Sequence, residues 1–381
     1  MMRFKGLEGV RAWLSCAVAF VHWTMITGLA ANGYIPKLNT LADQAVLVFI
    51  VLSGFVISHL ITEKKESYPQ YIIRRFMRIA PLYYFAFFVS IFTATSFWDF
   101  TMWAPWGDVT PQVARSQEFY SHVRQFGYFP YIASHLALFH GAISETILPR
   151  APLMFLPPSW SLSLEWQFYL VAPIIIAALA NRRTALLLVL SAILLNWAAR
   201  KGAFGQMGYH DSLLPLAAFT FSLGVGSRLF LAKAAPFASY PFIPVVMIAA
   251  FLALNAREHL YIGCWIALLP LLKQGDWQDQ PSKSLSSLYK YTCQSRIANW
   301  VGDRSYAIYI LHYPLFEALV VLFGQHLRLS YGQSVLLTAL TGFPALLLLS
   351  DLAHRFIELP GIRLGQHLTR SVSHARPATG G

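Results

Sequence analysis

The sequence predicts an all-α polytopic membrane protein with about ten transmembrane helices and both termini in the cytoplasm. Three observations lead there. Only 12% of the 381 residues are charged, against 56% hydrophobic, whereas soluble domains carry about 25% charged residues. The apolar residues gather in runs about 20 long, the length that crosses about 30 Å of hydrocarbon. The basic residues, finally, are shared unevenly between alternate connecting segments.

The runs lie at 9–29, 43–62, 79–97, 163–180, 184–199, 213–232, 240–254, 260–273, 303–323 and 334–353. A weaker candidate, "YIASHLALFHGAI" at 131–143, is short and carries His135 and His140, so it reads as re-entrant or interfacial as readily as spanning. Charge decides between ten spans and eleven. With ten and a cytoplasmic N-terminus, 21 of the 29 Lys and Arg residues lie inside and 8 outside; an eleventh span at 131–143 makes the split 13 to 16. Cytoplasmic loops carry the excess of Lys and Arg, which favours ten. Residues 1–360 are then the integral membrane domain and 361–381 a polar, loose C-terminal tail. The first 31 residues imitate a signal peptide, with Arg3 and Lys5 ahead of an apolar stretch and Gly28–Ala30 as a small-x-small site. Arg11 and His22 fit that apolar stretch badly, so the helix is expected to stay.

The loops also account for the net charge of +12. No basic run with interleaved aromatics occurs in a polar stretch, which excludes nucleic acid as a partner. The three cysteines, Cys16, Cys264 and Cys293, are odd in number and lack metal-ligand spacing, so no disulfide framework is expected. No metal is predicted either. The 12 histidines are scattered without an H-E-x-x-H pattern, and His135 and His140 have the wrong helical phase to share a ligand. Neither a phosphate loop nor a G-x-S-x-G elbow is present.

Four stretches place costly polar groups in apolar surroundings. "RAWLSCAVAFVH" begins with Arg11 and ends with His22. Eleven residues at about 100° each make three turns plus about 20°, so both side chains share a helix face about 16 Å apart, with Ser15 and Val18 between them. A snorkelling arginine and a hydrogen-bonded packing histidine are the bland alternatives, but intramembrane ionisable residues are functional candidates by default. "RRFMRIAPLYYF" sets Arg75 and Arg78 one turn apart at the cytoplasmic rim, where two guanidiniums can clamp phosphates or simply fix topology. "SWSLSLEWQFYL" holds the acid Glu165 with Tyr169 four residues on. "GDRSYAIYILHYPL" lines Ser305, Tyr309 and His312 along one stripe, and a packed core histidine is the more ordinary reading of His312.

Six motifs in order, "LEGVRAWLSCAVAFVH", "VFIVLSGFVIS", "RRFMRIAPLYYF", "SWSLSLEWQFYLVAP", "GDRSYAIYILHYPL" and "FIELP", resemble the acyltransferase-3 family of integral membrane acyltransferases over about residues 5 to 360. The resemblance implies O-acylation, most often O-acetylation, of carbohydrate or related hydroxyls, with cytoplasmic acetyl-CoA as acyl donor and the bacterial inner (plasma) membrane as location. By the motif match Arg11, His22, Arg75 and Arg78 occupy the family's functional positions, while Glu165 and His312 fall in recurring motifs whose roles are less settled. Some relatives append a periplasmic hydrolase-like domain. These 381 residues include none, so transfer is expected to be completed by the membrane domain or a separate partner.

In the expected mechanism Arg75 and Arg78 form a cationic mouth for the polyanionic acyl-CoA, and the donor arm runs along the Arg11 face. His22, as neutral imidazole, takes the proton of the acceptor hydroxyl as general base; an acyl-histidine route is the second possibility. Glu165 is grouped with these catalytic residues, and Ser15, Tyr309 and His312 with their support. The acceptor is a carbohydrate or lipid-linked glycan, with acetyl against succinyl left open. Trp98, Trp103, Trp106, Phe119, Tyr120, Tyr128 and Tyr131 in the outer segment 98–162 are candidates to stack on sugar rings, although interfacial aromatic belts explain them equally well. The rival class is a multi-pass transporter or flippase of a lipid-linked sugar, which would use the same intramembrane polar residues as a substrate path.

Overall fold

The computed structural model describes residues 6–29, 38–64, 66–102, 110–208, 211–233, 260–272 and 283–374. Among these residues there are helices and turns and no strand. The helices are α1 (Leu7–Ile26), α2 (Leu38–Glu63), α3 (Tyr68–Met102), α4 (Thr110–Phe126), α5 (Tyr128–Leu136), α6 (Trp160–Ala178), α7 (Arg182–Arg200), α8 (Leu214–Lys233), α9 (Leu260–Leu272), α10 (Lys283–Cys293), α11 (Arg296–Asp303), α12 (Ser305–Val321), α13 (Tyr331–Ala353) and α14 (Leu359–His374).

Seven of the described helical stretches, rather than ten, are long and apolar enough to cross a membrane. They are Leu7–Ile26, Thr40–Glu63, Tyr68–Met102, Pro157–Ala178, Arg182–Arg200, Ser305–His326 and Tyr331–Arg370. The difference has particular sources. The run at 240–254 lies outside the described residues. The apolar part of α8 covers only Leu214–Leu229, and α9 is described over 13 residues, short of the roughly 20 a span needs. The segment 131–143 is no span: α5 has 9 residues, about 14 Å at the helical rise. Lipid as solvent is clearest on α7, where Leu186, Leu187, Leu190, Ile193, Leu194 and Trp197 are all exposed. A contiguous apolar face of that size is a liability in water and ordinary in hydrocarbon.

The chain divides into two compact units, one of residues 1–63 and 217–309, the other of residues 64–216 and 310–381. In the first, Val48, Val51, Leu52 and Phe55 of α2 pack with Tyr261 and Trp265 of α9 and with Leu7, Tyr289 and Cys293. The Trp265 indole N–H donates to Ser227 Oγ at 2.9 Å, which satisfies the polar end of a fully buried ring. Two close approaches depend on absent side chains. A Cβ on Gly224 of α8 would meet the Val51 carbonyl, and one on Gly302 would meet the Glu8 carbonyl, so these helix pairs touch backbone to backbone in the manner of small-residue membrane interfaces.

In the second unit α14 runs along the first half of α3. Pro81, inside α3, has no N–H for the Met77 carbonyl, and Gly361 of α14 approaches that carbonyl closely. Arg74 Nε donates to Thr369 Oγ1 at 2.8 Å and Gln70 Nε2 to the Thr369 carbonyl at 3.2 Å. The chain beyond 361, loose by composition, is therefore helical to His374 and docked through its 361–369 stretch.

Candidate functional site

In the first unit α1 is a single unbroken helix from Leu7 to Ile26, so the stripe expected from spacing exists. Ser15 and Val18 are fully buried along it, while Arg11 and His22 are half-buried at its ends. The Ser15 hydroxyl donates to the Ala12 carbonyl at 3.0 Å, which engages it within its own helix. Gly9 presses on the Cys293 backbone and the Trp13 indole donates to the Thr292 carbonyl at 3.2 Å, fixing the helix's rotation.

The second unit assembles Arg75, Arg78, Glu165 and Tyr169. Tyr71, Arg75 and Arg78 follow i, i+4, i+7 on α3 and share a face. Arg74 points elsewhere: its Nη1 donates to the Glu66 carboxylate at 2.5 Å, besides the Thr369 contact. On α6 the Tyr169 hydroxyl donates to the Glu165 carboxylate. Arg75 is half-buried, and its electrostatic neighbours are Tyr169, Arg78, Tyr71 and Glu66. Those of Tyr169 are Glu165, Arg75 and Arg78. Two further contacts hold α3 against α6: the Tyr68 hydroxyl donates to the Leu170 carbonyl at 2.9 Å, and the Phe76 and Trp166 rings lie 5.6 Å apart. The result is a cationic pair set among phenols, with the nearby carboxylate already bound by one of them. The chemistry of such a group suits an oxyanion, since guanidiniums can pair bidentately with phosphate.

On α12, Ser305 and Tyr309 belong to the first unit and His312 to the second, and all three are buried. The Tyr309 ring meets Phe49 edge-on at 5.8 Å. His312 is wholly enclosed, edge-on to Tyr313 at 6.2 Å and to Phe316 at 6.4 Å, the environment of a packed core histidine.

Residues 4–355 match the family model described as an acyltransferase domain. The chain belongs to the acyltransferase-3 family. This acyltransferase-3 protein is similar to the peptidoglycan O-acetyltransferase OatA of Listeria monocytogenes, with 25% identity over 384 residues, covering 93% of this chain and 55% of the relative. It thus spans about half the length of that curated relative. No solved structure matches it.

Among the described residues of this acyltransferase-3 protein no group of three His, Cys, Asp or Glu side chains is arranged to hold a metal ion, and all three cysteines are free. The aromatics of the outer segment divide. Trp98, Phe119 and Tyr131 are buried, with Trp98 against Phe119 at 5.0 Å and Phe155 at 5.7 Å, so they form core and are not a sugar platform. Tyr128 stays 42% exposed, and Trp103 and Trp106 lie outside the described residues.

Sequence reasoning passed over two polar clusters and missed the pairing of two histidines that form a third. In the first unit the buried Arg228 donates from Nε to His59 Nδ1 at 3.0 Å and from Nη2 to Glu63 Oε1 at 3.0 Å. A guanidinium only donates, so His59 carries its proton on Nε2. In the second unit Glu317, buried on α12, accepts from Thr93 Oγ1 at 3.3 Å, with Arg115 in electrostatic range. Both groups lay in apolar runs, where the rule that intramembrane charges mark sites would have found them.

The third cluster is the pair His135 and His140, stacked at 3.9 Å between ring centroids. Tyr83 Oη lies 2.9 Å from His135 Nδ1, and His140 Nε2 donates to the Ser159 carbonyl at 3.1 Å. Burial, reinforced by the other ring, pushes His135 well below the usual imidazole range, and burial pushes His140 down to about 4. Both rings are neutral when folded and take up protons on unfolding. Their contribution is therefore complete above about 6.5, the unfolded value, and is lost as pH falls toward His140's folded value. Thermal unfolding of the purified protein is expected to show a midpoint that drops between about pH 7 and pH 4.5, with a flatter profile for the double variant His135→Phe, His140→Phe. Equal slopes in the two proteins would exclude the pair as the cause.

Proposed function

We propose that this acyltransferase-3 protein moves an acetyl group from cytoplasmic acetyl-CoA to a hydroxyl of a carbohydrate or lipid-linked glycan. In this reading it is an integral protein of the bacterial inner membrane, with ten spans and both termini cytoplasmic. The observation that carries the proposal is the Arg75–Arg78 pair on a face of α3, flanked by Tyr169 and Glu165 of α6, in a chain that matches an acyltransferase domain. The name of the Listeria relative supports the acceptor class, since peptidoglycan is a carbohydrate polymer.

Acetyl-CoA supplies an activated thioester and several phosphates. Arg75 and Arg78 hold the phosphates. Arg11, at one of the family's functional positions by the motif match, supplies a further positive charge for the anionic donor. His22 takes the proton of the acceptor hydroxyl as the oxygen attacks the thioester carbon, and returns it to the departing thiolate. A new C–O bond replaces the C–S bond with no change in oxidation state. Mass spectrometry of cell-surface glycans, comparing a strain that lacks the protein with its parent, tests the proposal. Loss of acetyl esters from one glycan class is the expected result. An unchanged ester profile together with an accumulated, unmodified lipid-linked sugar would instead favour the transporter class.

A further inference from the structure

Tyr71 is buried, with 4% of its surface exposed, yet its hydroxyl has no hydrogen-bond partner among the described residues. Buried phenols nearly always find one. The ring begins the face that continues through Arg75 and Arg78, and its electrostatic neighbours are Arg75, Glu165, Tyr68 and Glu66. The Glu165 carboxylate already receives the Tyr169 hydroxyl, and Glu66 is taken by Arg74. What remains along the Tyr71–Arg75–Arg78 face is an unused hydroxyl proton beside Arg75, which in turn neighbours Arg78, and guanidiniums only donate. A set of donors on one helix face calls for an acceptor-only anion with several oxygens, and a phosphate ester fits.

We infer that the Tyr71 hydroxyl is a ligand contact of the acyl-donor site, donating a hydrogen bond to a phosphate oxygen that Arg75 and Arg78 also hold. The inference rests on the donor reading above. A coenzyme A phosphate and a phospholipid headgroup share the required chemistry, and the former follows from that donor reading.

The test is a calorimetric titration of the purified full chain in neutral detergent with coenzyme A and, separately, with phosphatidylglycerol. Tyr71→Phe is expected to weaken coenzyme A binding about tenfold, the worth of one hydrogen bond to a charged group. It should leave phosphatidylglycerol binding unchanged. The ligand-free protein should unfold at the same temperature as wild type or higher, because no protein bond is lost; a purely structural tyrosine would lower it. Equal coenzyme A affinity in variant and wild type overturns the inference, as does an effect confined to phosphatidylglycerol. A wild-type chain that fails to bind coenzyme A at all overturns the donor reading itself, a separate outcome.

Discussion

Replacing His22 by alanine is expected to lower acetyl transfer by about 10²- to 10⁴-fold, the usual worth of a positioned general base, with normal amounts of protein in the membrane. The stability side of that expectation follows from α1. His22 is half-buried, whereas the packing around it is carried by Val18, Ala19, Val21 and Ile26, so the helix keeps its seat without the imidazole. His22→Gln separates the two roles further, because glutamine retains volume and hydrogen bonding but does not accept a proton at neutral pH. Both variants should be equally inactive when labelled acetyl groups on glycan are counted. Activity within a few-fold of wild type in either one removes His22 from the chemistry.

The double variant Arg75→Ala, Arg78→Ala is expected to raise the acetyl-CoA KM by roughly 10²-fold, as two charge-assisted phosphate contacts are lost, and to leave the acceptor KM near its original value. Arg74 provides the contrast within the same motif. Its guanidinium is bound to Glu66 and Thr369, so Arg74→Ala should loosen α14 from α3 and lower the unfolding temperature without a selective effect on the acetyl-CoA KM. If all three arginines behave alike, or if the donor KM does not respond to the double variant, these residues serve topology and not phosphate binding.

How much of this was legible in the sequence depends on whether a feature obeys helical periodicity. The Arg11–His22 stripe did, because eleven residues bring a straight helix back to one face and nothing in α1 interrupts it. The Arg75–Arg78 and Glu165–Tyr169 pairs were legible for the same reason. Their meeting across two helices was not, since no local pattern encodes which faces of α3 and α6 oppose. The His135–His140 pair shows the converse. Five residues apart is the wrong phase for a helix, but α5 ends at Leu136 and the chain turns through Leu138 with a left-handed φ of 58°, and that break brings the rings face to face. No glycine or proline announced it. The 361–374 helix was hidden by its composition, because a polar stretch reads as loose until Gly361 and Thr369 are seen against Met77 and Arg74. Tyr71 reads in sequence as one more interfacial tyrosine, and only its enclosure beside Arg75 sets it apart.

The central claim, acetyl transfer from acetyl-CoA to a glycan hydroxyl, is tested most directly in proteoliposomes holding the purified chain. Acetyl-CoA labelled in the acetyl group is supplied with a lipid-linked or soluble glycan, and the glycan is recovered for ester analysis. The account predicts labelled, alkali-labile acetyl ester on the glycan in proportion to protein, and none with His22→Ala. Glycan that crosses the bilayer unlabelled while acetyl-CoA remains intact would contradict it.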